Sequence, residues 1–320
     1  MRTSFITWYP SCRRSDALAK ALSGTSHLIH YFTFKRPLQA PFKYILQARD
    51  TVRLLRKDRP QLILVASPPV FAALVVWLYC CIYRTRFIID AHTGIFDDPR
   101  WTWLKFLSRF LARRAETTIV TNAFLQKKVE SWGATAMIIG DVPVDFPSVK
   151  PATLEPGFHV VVINSFSQDE PLDEILAATK QLPDVQFHIT GNPKHARNEY
   201  LESLPGNARL TGWLSDDEYA ALLRAADTVM CLTTHDHTMQ RGAYEAMALD
   251  KPLITSNWEL LRKTFYYGTI HVGATVQEIV QAVNQAKREH EKLVQEMQQL
   301  RHERSDVFAT NLQALREILT

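Results

Sequence analysis

The sequence predicts an α/β protein made of two doubly wound halves in tandem. Three observations carry this. Apolar runs of strand length alternate with amphipathic stretches of helix length along the chain. Strand and helix in turn, with short links, define a parallel sheet covered on both faces. The stretch 147–157 (PSVKPATLEPG), with three prolines and a glycine, interrupts the series like a linker. A chain of 320 residues is also about two domains long.

In the first half, strands are expected at 4–8, 27–32, 61–65, 87–90, 117–121 and 135–139. Helices are expected at 15–22, 43–57, 70–83, 101–115 and 123–132. The second half predicts strands at 158–163, 186–190, 208–211, 228–232, 252–255 and 269–271. Its helices fall at 171–181, 196–203, 216–225, 242–249, 258–264 and from 276 onward. The domains are then 1–150 and 158–304, followed by a helical tail at 305–320. That tail has helical periodicity with no strand after it, and is expected to pack back onto the first domain. Two such domains would face a cleft at the carboxyl ends of their strands, where open α/β sheets bind ligands. The uncharged stretch 62–83 is long enough to cross a bilayer. Ser67-Pro68-Pro69 cuts it, however, into a buried strand and a buried helix, with Ser67 as the expected cap.

Composition narrows the function. With 46% hydrophobic and 22% charged residues, the chain is neither disordered nor fibrous. The first of its 11 glycines is Gly24, so no G-x-G-x-x-G turn follows the first strand, and no G-x-x-x-x-G-K-[ST] occurs. This argues against a dinucleotide-binding turn and a P-loop. Cys12, Cys80, Cys81 and Cys231 lack C-x-x-C spacing; Cys80 and Cys81 read as buried thiols, and the set fits a reducing cytoplasm. Residues 3–10 are too short and polar for a signal peptide. Residues 1–150 hold 22 Lys+Arg against 10 Asp+Glu, a net of +12, and the remainder carries −8. A basic half suits a polyanion or an anionic membrane surface; a chance imbalance is the plain alternative.

The most specific segment is 233–256 (TTHDHTMQRGAYEAMALDKPLITS). A strand ends at Leu232, a polar loop follows, and a helix opens near Gly242 with Glu245 one turn in. The start of that helix, Thr238, Met239, Gln240, Arg241 and Gly242, offers backbone N–H groups and a guanidinium to a phosphate. Glu245 would reach sugar hydroxyls of the same ligand, so the pattern suits a nucleotide-sugar diphosphate. A surface helix with a solvated Glu245 is the bland alternative. His235-Asp236-His237 invites a metal, but no third ligand is evident.

The run GAYEAMALDKPLITS resembles the donor-site signature of the GT-B glycosyltransferases, especially the bacterial family 4 group. The resemblance implies two Rossmann-like domains, metal-independent transfer without a cofactor, and a ribose-holding role for Glu245. Segment 185–193 (VQFHITGNP) is similar to the strand-glycine turn near the nucleotide, which marks Gly191. Segment 210–214 (LTGWL) is similar to the stretch whose backbone faces the base, which marks Trp213 and Leu214. His237 stands where the family usually has a second acidic residue. No basic residue lies in 164–170 (NSFSQDE), where a basic pair usually holds the diphosphate. That loop, with Ser165, is similar instead to the Ser/Thr-rich loop of the β-mannosyltransferases acting on dolichol-diphosphate chitobiose. ASPPV at 66–70 and IIDAH at 88–92 agree with that comparison. The departures leave the sugar and the stereochemical outcome open.

In the first half, His92, Asp97 and Asp98 follow a strand and are the candidates for taking a proton from an acceptor hydroxyl. A retaining enzyme would need no such base, and a packed His92 is the bland reading. Arg13 and Arg14, just before a helix expected at Ser15, would bind an anion such as an acceptor diphosphate. Residues 101–115 (WTWLKFLSRFLARRA) read either as a helix lying in a membrane interface or as an ordinary helix packed on the sheet. The leading expectation is transfer of a sugar from a nucleotide diphosphate to a lipid-linked or polysaccharide acceptor. The protein would then sit in the cytoplasm, peripheral to the inner face of the cell membrane. A catalytically degenerate subunit, a GT-B-type epimerase or a phosphorylase is the alternative, and nucleic acid is the least favoured partner.

Overall fold

In the computed structural model, which describes residues 2–32, 39–140, 142–197, 200 and 204–319, the chain forms two units. One comprises residues 1–142 with 307–320, the other residues 143–306.

The first unit runs β1 (Thr3–Thr7), α1 (Arg13–Ala21), β2 (Thr25–Leu28), α2 (Ala40–Asp58), β3 (Leu62–Ser67), α3 (Val70–Tyr83) and β4 (Arg86–Ala91). It continues with α4 (Gly94–Asp97), α5 (Pro99–Thr102), α6 (Lys105–Ala112), β5 (Thr118–Val120), α7 (Ala123–Glu130) and β6 (Ala136–Ile138). The strands form one parallel sheet in the order β2-β1-β3-β4-β5-β6. All six residues of β3 are buried, as expected of a central strand with helices on both faces. One face packs under α3 and α6 through Val65, Val76, Ile89 and Leu111. On the other, Phe5, Leu18, Leu64 and Ile88 meet Phe308, Leu312 and Leu315, near the end of the last helix.

The second unit contains β7 (Phe158–Val162), α8 (Leu172–Thr179), β8 (Val185–Thr190), β9 (Ala208–Gly212), α9 (Asp216–Ala225), β10 (Thr228–Cys231) and α10 (Arg241–Ala248). It continues with β11 (Leu253–Ser256), α11 (Glu259–Thr264), β12 (Thr269–Val272), α12 (Val276–Arg288) and most of α13 (His290–Leu319). Its parallel sheet has the order β12-β11-β10-β7-β8-β9. Near the start of β7, His159 Nδ1 lies 2.9 Å from His188 Nε2, and Arg209 Nε donates to His188 Nδ1 at 2.7 Å. Burial first, then Arg209 and His159, push His188 down to about 4. It is therefore held neutral in the folded chain.

Several expectations need correction. The strand placed at 27–32 is β2, Thr25–Leu28, an edge strand with no fully buried residue and hence no apolar run to mark it. The helix expected over 101–115 is broken into α5 and α6, because Trp103 and Leu104 act as caps between them. Ser67 does not cap α3: it ends β3, and Pro69 is the cap residue. Helix α1 starts at Arg13 rather than Ser15. Cys80 is buried but Cys81 is exposed, since successive helical positions point about 100° apart. Segment 147–157 belongs to the second unit. There Leu154, like Phe146 just before it, packs on the core of that unit, and Arg224 donates to Pro147 O. The helix expected over 196–203 falls largely outside the described residues. Among the described residues, no helix is long and apolar enough to cross a membrane.

Candidate active site

In the second unit the residues singled out by sequence gather at the carboxyl ends of the strands. Helix α10 begins just beyond β10, and its start presses on the end of β7. A Cβ on Gly242 would stand 3.0–3.2 Å from Ile163 side-chain atoms, so the smallest residue permits this approach. Gln240 occupies the N-cap without a side-chain cap; its Oε1 accepts from Thr255 Oγ1 at 3.2 Å. The first-turn N–H groups of an eight-residue helix are thus left without a side-chain acceptor, an arrangement that suits an anion.

One turn in, Glu245 is only 5% exposed. Tyr219 of α9 donates to its Oε2 at 2.6 Å, and Arg241 Nε donates to Oε1 at 3.0 Å. Each carboxylate oxygen keeps lone-pair capacity, so the group stays able to accept from a vicinal diol. Tyr219 carries no sequence signal beyond lying four residues after the Ser215 cap. It lies 26 residues from Glu245, a separation no local pattern bridges.

The loop after β7 faces the same end of the sheet. Ser165 N and Ser167 N donate to Glu170 Oε2 at 2.8 and 2.9 Å, and Ser165 Oγ donates to Glu170 Oε1 at 3.1 Å. Asp169 accepts from Thr233 Oγ1 at 2.8 Å, tying this loop to the one after β10. Gly191, with φ of +120°, sits against it: a Cβ there would be 2.6 Å from Asn164 O and 2.8 Å from a Phe166 ring carbon. Thr238, Met239 and His237 lead into α10. His237 takes a left-handed backbone, its N–H donating to Asp236 Oδ1 at 2.6 Å. Leu214 packs on the core, whereas Trp213 beside it is 81% exposed. Among the described residues, no three His, Cys, Asp or Glu side chains come together as a metal site.

In the first unit the end of β4 carries a second group. Asp90 is fully buried and accepts from Arg14 Nε and Nη2, both at 3.1 Å; Arg14 Nη2 also donates to Ile139 O at 2.7 Å. His92 Nε2 lies 3.3 Å from Asp90 Oδ2, and Tyr9 stacks at 6.5 Å from the His92 ring. Burial alone would raise the Asp90 carboxyl, but Arg14 and His92 together hold it well below the usual carboxylate range. The same burial pushes the Tyr9 hydroxyl up to about 12. Arg14 is therefore committed to Asp90 and Ile139, not left open for an anion as expected; Arg13, beside it, is exposed. Asp98 caps α5 through Arg100 N and pairs with the Arg100 side chain, which lowers its pKa. The Asp97 side chain lies outside the described residues. Asp90 lies in the IIDAH segment but carries no candidate role in the sequence, because its partner Arg14 is 76 residues away.

Two parallel six-stranded sheets, one reversing its order beside β1 and the other beside β7, have the strand order of the two Rossmann-like domains of the GT-B fold. Comparison with solved structures bears this out at the level of fold. Sucrose-phosphate synthase from Thermosynechococcus elongatus superimposes with a TM-score of 0.76 at 13% identity, over 100% of this chain and 98% of that one. The Anabaena protein HepE in complex with UDP gives 0.76 at 16% identity, over 100% and 99%. A family model described as glycosyl transferase-like matches residues 171–320. Among curated proteins, mouse chitobiosyldiphosphodolichol beta-mannosyltransferase is 24% identical over 208 residues, 60% of this chain and 42% of the relative. Its human counterpart is 22% identical over 220 residues, 64% and 46%. The chain thus spans less than half the length of the curated relatives it matches.

Proposed function

We propose that the protein is a glycosyltransferase that takes a sugar from a nucleotide diphosphate sugar. The observation that carries this is the buried Glu245, braced by Tyr219 and Arg241 at the uncapped start of α10, within the region matched by the glycosyl transferase-like model. Glu245 would accept from the ribose hydroxyls, the α10 amides would meet the diphosphate, and exposed Trp213 would offer its face to the base. The diphosphate charge is then offset by amides and Arg241, so transfer needs no metal. His92, held by Asp90, is the group that would take the acceptor's proton. The acceptor in this reading is lipid-linked, as suggested by the names of the mannosyltransferase relatives, or a polysaccharide. The protein would work at the cytoplasmic face of the membrane through its basic first half.

The test is calorimetric titration with UDP-, GDP- and TDP-sugars, with and without a chelator, on the wild type and Glu245→Ala. Binding by the wild type, indifferent to chelator and weakened at least about tenfold in the variant, is expected. No binding of any nucleotide sugar would refute the reading and favour a degenerate subunit. His92→Ala should bind donor normally and lose turnover; near-normal turnover removes the catalytic role of His92.

A further inference from the structure

The amphipathic stretch 101–115 does not turn its apolar stripe outward. Leu104, Leu111 and Ala112 of that stretch are buried in the core, so its apolar stripe is already used. Two side chains there are not: Trp103 and Phe106 are 68% and 69% exposed. A matching pair stands on α2, where Phe42 and Ile45 are 69% and 64% exposed. Phe42 and Ile45, at i, i+3 spacing, share one face of α2, whereas Trp103 sits at the break between α5 and α6 and Phe106 in the first turn of α6. A chain of rings joins the elements. Tyr44 lies 5.0 Å from Phe71, and Phe71 lies 6.2 Å from Trp101. Trp103 Nε1 donates to Arg100 O at 2.8 Å, which fixes the indole in its outward position.

Cations follow both pairs. Arg49, Arg53 and Arg56 lie exposed further along α2, and Arg109 lies exposed one turn beyond Phe106. Asp50 pairs with Arg49 and stands 3.8 Å from Arg53. Residues 40–59 hold six Lys+Arg against two Asp, and residues 98–114 hold five against one. We propose that Phe42, Ile45, Trp103 and Phe106 form a surface that inserts into an anionic membrane, with the arginines meeting lipid headgroups. Large apolar side chains backed by arginines on the same helical face suit a membrane interface, where rings enter the acyl boundary and guanidiniums remain at headgroup level. The charge also selects the occupant. A second copy would bring the same positive surface against itself, whereas an anionic leaflet complements it. The proposal deepens the membrane-side reading above by naming the residues that make the contact.

The experiment is flotation of the intact protein with vesicles of phosphatidylcholine, with or without phosphatidylglycerol, at low and physiological salt. Wild type should float with the anionic vesicles, less so at physiological salt. The double variants Phe42→Ser/Ile45→Ser and Trp103→Ser/Phe106→Ser should each lower partitioning by about tenfold. Their melting temperatures should stay close to wild type, because the side chains are mostly exposed and the one bond lost, Trp103 Nε1 to Arg100 O, lies at the surface. No flotation of the wild type at low salt, or equal flotation of the variants, would overturn the proposal. So would a wild-type dimer, seen by light scattering, that these variants dissociate. Flotation is read without donor or acceptor, so a failure to bind nucleotide sugars would count against the transferase reading alone.

Discussion

Asp90→Asn isolates the buried pair at the end of β4. The substitution keeps the size of the side chain and removes its charge. Arg14, 15% exposed at its side chain, would then hold a guanidinium beside a neutral amide. Removing one partner of a buried pair costs about 3–5 kcal/mol, because the remaining charge is left uncompensated. Arg14 retains its bond to Ile139 O, which points to the lower end, about 3 kcal/mol. The pH dependence has a definite sign. Asp90 titrates lower in the folded chain than its ordinary 3.8. Its stabilisation is therefore complete above 3.8 and is lost as pH falls below that value. Urea unfolding of both proteins, followed at neutral pH and stepwise down to about pH 3, should show a gap that narrows on acidification. A variant within about 0.5 kcal/mol of wild type at neutral pH, or a gap indifferent to acid, would refute the reasoning.

Two further outcomes can be measured directly. Tyr219→Phe removes one of the two donors that brace Glu245; nucleotide affinity should fall about tenfold or more with little change in turnover at saturating donor, and unchanged affinity would remove Tyr219 from the donor site. His188, pushed down to about 4 from an ordinary 6.5, contributes stability that is full above 6.5 and lost as pH falls toward 4. His188→Gln should lose less stability than wild type over that range, and parallel curves would show that His188 does not titrate as its burial implies.

The parallel sheets were legible because interior strands such as Leu62–Ser67 are apolar throughout, and because helix starts such as Ser215 announce themselves with a capping box. The exposed edge strand β2 was misplaced because no apolar period marks it. The split of 101–115 turns on packing around Leu104 that periodicity does not encode. The candidate site divides in the same way. Gly242 and Glu245 lie in one contiguous motif and could be read from it. Arg14 reaches Asp90 across 76 positions of sequence, and Tyr219 reaches Glu245 across 26; only the strand order brings these pairs together. The exposed Phe42 and Ile45 were hidden for a related reason, since an apolar residue on a helix reads as core until its neighbours are known.

Helix α13 bears on how the protein is made. Leu293, Met297 and Leu300 belong to the second unit's cores, while Phe308, Leu312 and Leu315 complete a core of the first. The half of the protein translated first is therefore completed last. Until residues 308–315 leave the ribosome, Phe5, Leu18, Leu64 and Ile88 lack their cover, and the nascent first unit carries an apolar face through synthesis of the entire second unit. A fragment ending at residue 142 inherits that exposed face permanently.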